Sequence, residues 1–462
     1  MKRPLDTTKS AGMASIGVPM LIELSLGIGV GLVGTMMAAQ LSDASGGAFA
    51  LANHVASMLF IFFRVVGAGV GVVVTQAIGS ENRRRADRLA CGAIGASSWV
   101  GLLTAAATLV TAVPLIRLMN APAGVAQIAV PFLQLLAPAM MLDAWLATLS
   151  SVLRAHLFNR DTLAVVFVVN ISQLLIAWPL MVGIGPIPAI GLAGFAAGLV
   201  ASKLIGIALF LVLWKIRLGM LPTAADWWRL PRDELRALLH IGLPGAAENI
   251  VYRLAFMASV SVAGLLGTGA LATQAYVLQI SYLTLMFGLA TGLSAEIAVG
   301  HLVGAGRLHD AHRLVRRALL AGIAFSIAAT GASALLAPWT LQLFTADTAI
   351  IGEGIMLLWC TVLLEPGRAF NLVVINALRA AGDARFPFFT GAISMLVVLA
   401  GGSWLLGIHF GLGLKGVWLA YALDEWIRGL IMWRRWVSLG WTGHARRARR
   451  RNRHANMATA PG

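Results

Sequence analysis

A succession of apolar runs, each about 20 residues or longer and separated by short polar breaks, leaves this chain few ways to fold. That is the length an α-helix needs to cross a hydrocarbon core at a rise of about 1.5 Å per residue. The runs lack the alternation with period two that marks barrel strands. Of the 462 residues 59% are hydrophobic and only 12% charged, and the mean hydropathy is +0.83, far outside the range of a soluble domain. The sequence therefore reads as an all-α membrane protein.

A net charge of +16 would suggest nucleic-acid binding in a soluble protein. The placement of the charges excludes that reading. With twelve spans and both termini in the cytoplasm, 28 of the 35 Lys and Arg residues fall on the cytoplasmic side, chiefly in Arg83 to Arg88, Lys215 to Arg236, Arg307 to Arg317 and Arg434 to Arg453. Only Arg117 and Lys415 lie outside, while Arg64, Lys203, Arg253, Arg368 and Arg428 lie within spans. This is the positive-inside bias, and it orients every helix together. The apolar run after MKRPLDTTKS is too long for a signal peptide and reads as an uncleaved first span. Cys91 and Cys360 sit in apolar runs, offering neither a disulfide framework nor a thiolate metal site.

The chain divides into an N-terminal six-helix lobe (1–214), a cytoplasmic linker (215–236), a C-terminal six-helix lobe (237–438) and a basic cytoplasmic tail (439–462). The tail reads as a solvated run touching anionic lipid, and a short outer loop, Ser42 to Gly47, is expected after span one. The halves repeat: Pro19 and Pro244, Glu23 and Glu248, Gly79 and Gly304, Arg88 and Arg313, and Leu153-Arg154-Ala155 and Leu378-Arg379-Ala380 are all 225 positions apart. Repeats of six spans lie in the same orientation, so the lobes are expected to be related by a pseudo-two-fold axis along the membrane normal.

Ionisable residues deep in such spans are costly and mark function. Glu23 and Glu248 each lie about ten residues past the cytoplasmic start of their helix, roughly 15 Å deep. Burial disfavours the charged form of a carboxyl, which suits it to taking up and releasing a proton; hydrogen bonding across helices is the structural alternative. Asn249, Tyr252 and Arg253 flank Glu248. In span ten, Glu365, Arg368 and Asn371 share a helix face beside Pro366, either as a fixed ion pair or as a switchable one. Asp424 with Arg428 reads as a structural i,i+4 charge pair. Lys203 and Arg64 need partners, with Glu23 and Asp143 the candidates, and Asn170 is a further polar residue in span five. There is no Walker A loop, HExxH or GxSxG, so no hydrolase chemistry is expected, and the histidines have no metal-ligand spacing.

Several stretches, in this order, resemble the multidrug and toxic compound extrusion (MATE) family of the multidrug/oligosaccharidyl-lipid/polysaccharide (MOP) exporter superfamily. They are GVGVVVTQAIGSENRRRADR, GLPGAAEN, GLSAEIAVGHLVGAGRLHDAHR, EPGRAFNLVVINALRAAGDARFP and GLKGVWLAYALDEWIRG. A monomeric, multi-pass protein of the inner (plasma) membrane without a cofactor is expected. The resemblance implies export of organic, often cationic, compounds in exchange for protons or sodium ions. It also implies that Glu248 matches the family's span-seven glutamate and Asn170 its span-five asparagine. Gly34 stands where family members commonly carry a span-one aspartate, and Arg368 where many carry an acidic residue. The expectation is that Glu248 couples the ion, supported by Glu365 and Glu23. A lipid-linked precursor flippase on the same fold and a non-transporting receptor or scaffold are the alternatives.

Overall fold

Apolar runs of this length, shielded from water, must satisfy their backbone internally, and they do so as helices. The computed structural model describes residues 13–59, 61–119, 122–184, 186 and 188–457. In chain order the helices are α1 (Met13–Leu41), α2 (Asp43–Leu59), α3 (Ile61–Gly79), α4 (Arg83–Leu118), α5 (Ala123–Leu135), α6 (Ala137–Ala155), α7 (Asn159–Val182) and α8 (Leu192–Leu213). The second half contains α9 (Arg232–Leu265), α10 (Thr268–Ala305), α11 (Leu308–Leu335), α12 (Ala337–Gln342), α13 (Thr348–Ala380), α14 (Arg385–Ser394), α15 (Gly402–Trp404), α16 (Gly413–Val437) and α17 (Thr442–Met457). Among the described residues, eight helices are long and apolar enough to cross a membrane singly. The pair α5 and α6, bent by 43°, makes a ninth. The helices α2 and α3, and the charge-bearing α9 and α16, are the remaining long helices of the two halves.

The repeat is visible in the helix limits. Both α4 and α11 begin at positions 225 apart, Arg83 and Leu308, and α6 and α13 end at Ala155 and Ala380. Helices α4 and α11 extend into the basic segments Arg83 to Arg88 and Arg307 to Arg317, since Arg is a strong helix former. The outer loop expected at Ser42 to Gly47 is instead the first turn of α2, with the Ser42 hydroxyl accepting from the Ser45 N–H at 3.0 Å as an N-cap.

Contacts divide the chain into two compact units. One comprises 1–21, 75–82 and 247–462, and the other 22–74 and 83–246. The cuts in α1 and α9 fall after Leu21 and after Ala246, again 225 apart. In the first unit the end of α3 lies against α10, and only glycine fits: a Cβ on Gly79 would overlap the His301 carbonyl, and one on Gly304 the Gln76 carbonyl. In the second unit the stretch between α8 and α9 is packed onto α4. Trp228 meets Trp99 and Trp227 meets Trp145, with ring centroids 6.0 and 4.7 Å apart. A Cβ at Gly95 would overlap the Arg229 carbonyl.

The basic tail expected to be solvated starts with a helix anchored to the first unit. Trp441 is fully buried and stacks on Trp436 with centroids 4.2 Å apart. Ala445, one turn on, is also buried. An aromatic side chain of that size placed just before α17 gives the helix an apolar foot that its arginines cannot supply. Lys2, Arg3 and Lys9, and the side chains of Arg64, Arg451 and Arg453, lie outside the described residues.

Candidate functional site

Proline at 366 removes one backbone N–H from the middle of α13, and Gly367 next to it makes room for a neighbour. The Trp426 indole of α16 fills that room, Nε1 donating to the Leu363 carbonyl at 2.9 Å. A Cβ on Gly367 would come within 2.6 Å of that nitrogen. This close approach sets α13 and α16 side by side with their charged faces in register. Glu365, Arg368 and Asn371 come from α13, and Asp424, Glu425 and Arg428 from α16.

The six side chains form one network. Arg368 donates to Glu365 at 2.6 Å and to Glu425 at 3.3 Å. Arg428 pairs with Asp424 at 2.6 Å and with Glu425 at 3.0 Å. Asn371 Nδ2 donates to Glu425 at 2.9 Å, and the Ser394 hydroxyl to Asp424 at 2.6 Å. The carboxylates are nearly inaccessible, with Glu365 2%, Asp424 0% and Glu425 4% exposed. The Asn371 Oδ1 is buried and has no hydrogen-bond partner among the described residues. Tyr252 is close enough to feel the charges of Arg368 and Glu425.

The charge count of this network is uneven: three carboxylates face two guanidinium groups. Glu425 receives both arginines and an amide. Asp424 receives Arg428 and a hydroxyl. Glu365 has Arg368 alone, and shares it, so it is the least compensated of the three. A buried site with one carboxylate in excess is stable only if that charge is neutralised, by a proton or by a bound cation.

Two further carboxylates are each matched by one arginine among the described residues. Glu248 accepts from Arg379 at 2.6 Å within the same unit, and Glu23 accepts from Arg154 at 2.5 Å in the other unit. Both pairs span 131 positions, so the same clasp is built twice, once in each repeat. Lys203 pairs with Asp143, not with Glu23. Those positions are the repeat counterparts of Arg428 and Arg368, so an Asp–Lys pair in the first half stands where the second half has two arginines.

Gly34, the position where an aspartate is common in the family, is enclosed by aromatic rings. A Cβ there would lie 3.0 Å from Phe49 and from Phe195, whose rings meet edge to face at 4.8 Å and also contact Phe132. The counterpart of an acidic site is thus an apolar cluster. Asn170 is half-buried on α7 of this same unit. Asn249 is half-buried and Arg253 exposed on α9; each has interactions of its own.

The expected pairs Glu365 with Arg368 and Asp424 with Arg428 are therefore present, but joined through Glu425 into a single network. The residues that reasoning from sequence passed over are Arg154 and Arg379, which read as loop charges. The signal was there: each arginine lies 131 positions after its glutamate, in both repeats.

Twelve helices in two repeats, with ionisable side chains buried at mid-helix, define a multi-pass membrane transporter. The MatE family model matches residues 19–182 and 244–404, and the chain belongs to this family, whose members are transporters rather than enzymes. Both matched segments begin at the repeat prolines. Among its relatives, an uncharacterised transporter, YisQ, of Bacillus subtilis is 31% identical over 96% of both chains. A probable multidrug resistance protein, NorM, of Bradyrhizobium diazoefficiens is 27% identical over 91% of both. The fold is similar to that of an outward-facing multidrug resistance MATE family transporter of the MOP superfamily. The TM-score is 0.83 at 18% identity, covering 96% of this chain and 97% of that one. It is also similar to that of a MOP superfamily transporter from Pyrococcus furiosus, with a TM-score of 0.84 at 17% identity, covering 96% and 99%.

Proposed function

We propose that this chain is a secondary antiporter of the plasma membrane, monomeric, with both termini in the cytoplasm, that exports organic cationic amphiphiles in exchange for protons. The observation that carries the reading is the uneven count in the buried network of α13 and α16, where three carboxylates meet two guanidinium groups. One proton neutralises the excess, and Glu365, with a single shared partner, is where it resides. A substrate cation arriving in the lobe competes for the same negative charge, so proton and substrate stabilise opposite states and drive each other across. Glu248, with its own arginine, holds α9 to α13.

The choice of proton over sodium rests on the neighbour of the least compensated carboxylate. A sodium ion on Glu365 would lie against the Arg368 guanidinium, bonded to it at 2.6 Å, whereas a proton neutralises the carboxyl without adding a second cation beside that arginine. The test is dye efflux in everted vesicles under separately imposed gradients: a proton gradient is expected to drive efflux and a sodium gradient alone is not. Efflux driven by sodium without a pH difference overturns the reading.

A further inference from the structure

The proton must reach Glu365 and Glu425, which are buried in the middle of the lobe. On the orientation proposed above, the outer end of the first unit is where α9 stops at Leu265, α10 starts at Thr268, α13 starts at Thr348 and α16 starts at Gly413. A cavity of about 340 Å³ opens there, lined by Leu266, Asp347, Ile350, Glu353 and Leu414. One Glu353 carboxylate oxygen lies 3.5 Å from the Thr273 hydroxyl. Thr273 and its neighbour Gln274 are both fully buried.

Below this cavity the lobe contains a line of neutral polar side chains among apolar ones. The Ser403 hydroxyl donates to the Leu399 carbonyl at 2.5 Å and lies 3.2 Å from the Ser259 hydroxyl, Ser259 donates to the Tyr421 hydroxyl at 2.6 Å, and Gln274 Nε2 donates to the same hydroxyl at 3.1 Å. The Gln274 Oε1 is buried and has no partner among the described residues. Tyr421 accepts two hydrogen bonds, so its own proton is directed elsewhere. It lies four residues before Glu425 on α16, on the same helix face. Counted from the outer ends of α9 and α16, Ser259 is about 9 Å deep, Tyr421 about 12 Å and Glu425 about 18 Å.

The span formed by α14 and α15 is wound to suit this line. Ser394, at the network, and Ser403, at the hydroxyl chain, are nine residues apart, about two and a half turns of α-helix, which would put them on opposite faces. The segments Met395–Gly401 and Leu405–His409 are π-helical. The wider winding takes up the difference, and both serines are buried with hydrogen-bond partners in the lobe. Such π segments are common at functional positions.

We propose that Ser403, Ser259 and Tyr421 form the route by which protons from the outer cavity reach the carboxylate network. This inference rests on the proton-coupled reading above. Each hydroxyl passes its proton inward and receives one from behind, so the chain is unchanged after each passage. The Ser259 hydroxyl already points inward, to Tyr421, and the Ser403 hydroxyl turns from the Leu399 carbonyl to pass its proton on. The last step, from Tyr421 to Glu425, covers one helical turn, about 6 Å, a gap that one bridging water spans. Tyr421 is faced by Ser259, Tyr252 and Phe256 from α9, Gln274 from α10 and Trp418 from its own helix, and the charge of Arg368 on α13 also reaches it.

The test is stopped-flow proton uptake after a pH jump, read with a pH indicator dye in weakly buffered purified protein. Wild type is expected to take up one proton per chain. Tyr421→Phe and Ser259→Ala should keep that amplitude and their substrate affinity but slow uptake on the order of 100-fold, the scale of losing a positioned proton donor. Ser259→Thr, which keeps the hydroxyl, should restore the rate. Unchanged rates in Tyr421→Phe and Ser259→Ala overturn the route, as does loss of amplitude in either, which would make the hydroxyls part of the proton-holding site. Absence of uptake in wild type sinks the proton-coupled reading itself, and with it the route, before any variant is compared.

Discussion

Two substitutions of neighbouring partners should have opposite consequences if the network carries an excess carboxylate. Glu365 and Arg368 are bonded to each other at 2.6 Å. Removing one member of a buried pair ordinarily costs about 3–5 kcal/mol, because the other is left uncompensated. Arg368→Gln should cost that amount or more, since it leaves three carboxylates with Arg428 alone and strips a donor from both Glu365 and Glu425. For a folding unit of roughly 150–250 residues this corresponds to a fall in Tm of roughly 6–20 °C. Glu365→Gln leaves two carboxylates against two guanidinium groups and keeps an oxygen for Arg368 to donate to. Its stability should stay within about 1 kcal/mol of wild type, the worth of one altered hydrogen bond, while efflux driven by a pH difference is lost. Thermal unfolding in detergent, followed by tryptophan fluorescence, measures the first quantity and dye efflux in proteoliposomes the second. If Glu365→Gln destabilises as much as Arg368→Gln, or if it still exports dye against a pH gradient, the reasoning from charge count is wrong.

Three further outcomes follow from packing and pairing. In a double-mutant cycle, Glu248→Gln and Arg379→Gln should each destabilise more than the double variant, with an interaction energy of about 1–3 kcal/mol; additive effects on Tm would dissolve the clasp. Gly34→Asp should destabilise by about 1–3 kcal/mol through overpacking against Phe49 and Phe195, with partial recovery in the Phe195→Ala background; an unchanged Tm would show the aromatic cluster to be loose. Trp441→Ala should cost about 3–5 kcal/mol at its buried stack and expose α17 to hydrogen exchange, and unaltered protection of Thr442–Met457 would mean the helix is held by something else.

Much of the fold was legible in the residues, because apolar runs and the one-sided distribution of Lys and Arg reflect the bilayer directly. Helix ends were less so: Arg83 to Arg88 is polar enough to suggest a loop, yet its residues favour helix and α4 begins there. Within the site, carboxylates such as Glu365 and Asp424 stand out because an ionisable group in a greasy run is conspicuous. Their partners do not, since Arg154 and Arg379 come from distant helices and sit at helix ends. The joining of two local pairs by Glu425 depends on how closely α13 and α16 approach at Gly367, which no spacing along one helix reveals. Ser259, Gln274, Tyr421 and Ser403 were invisible for a simpler reason: isolated neutral polar residues in membrane helices are ordinary, and only their meeting is informative.

The claim that matters most is that one proton sits on a carboxylate between α13 and α16. Infrared difference spectroscopy across a pH titration observes this directly, since a protonated buried carboxyl has a stretching band distinct from that of carboxylate. The account expects a single such band in wild type, absent from Glu365→Gln and retained in Glu248→Gln. No protonated band in wild type, or one that survives Glu365→Gln and vanishes in Glu248→Gln, would contradict it.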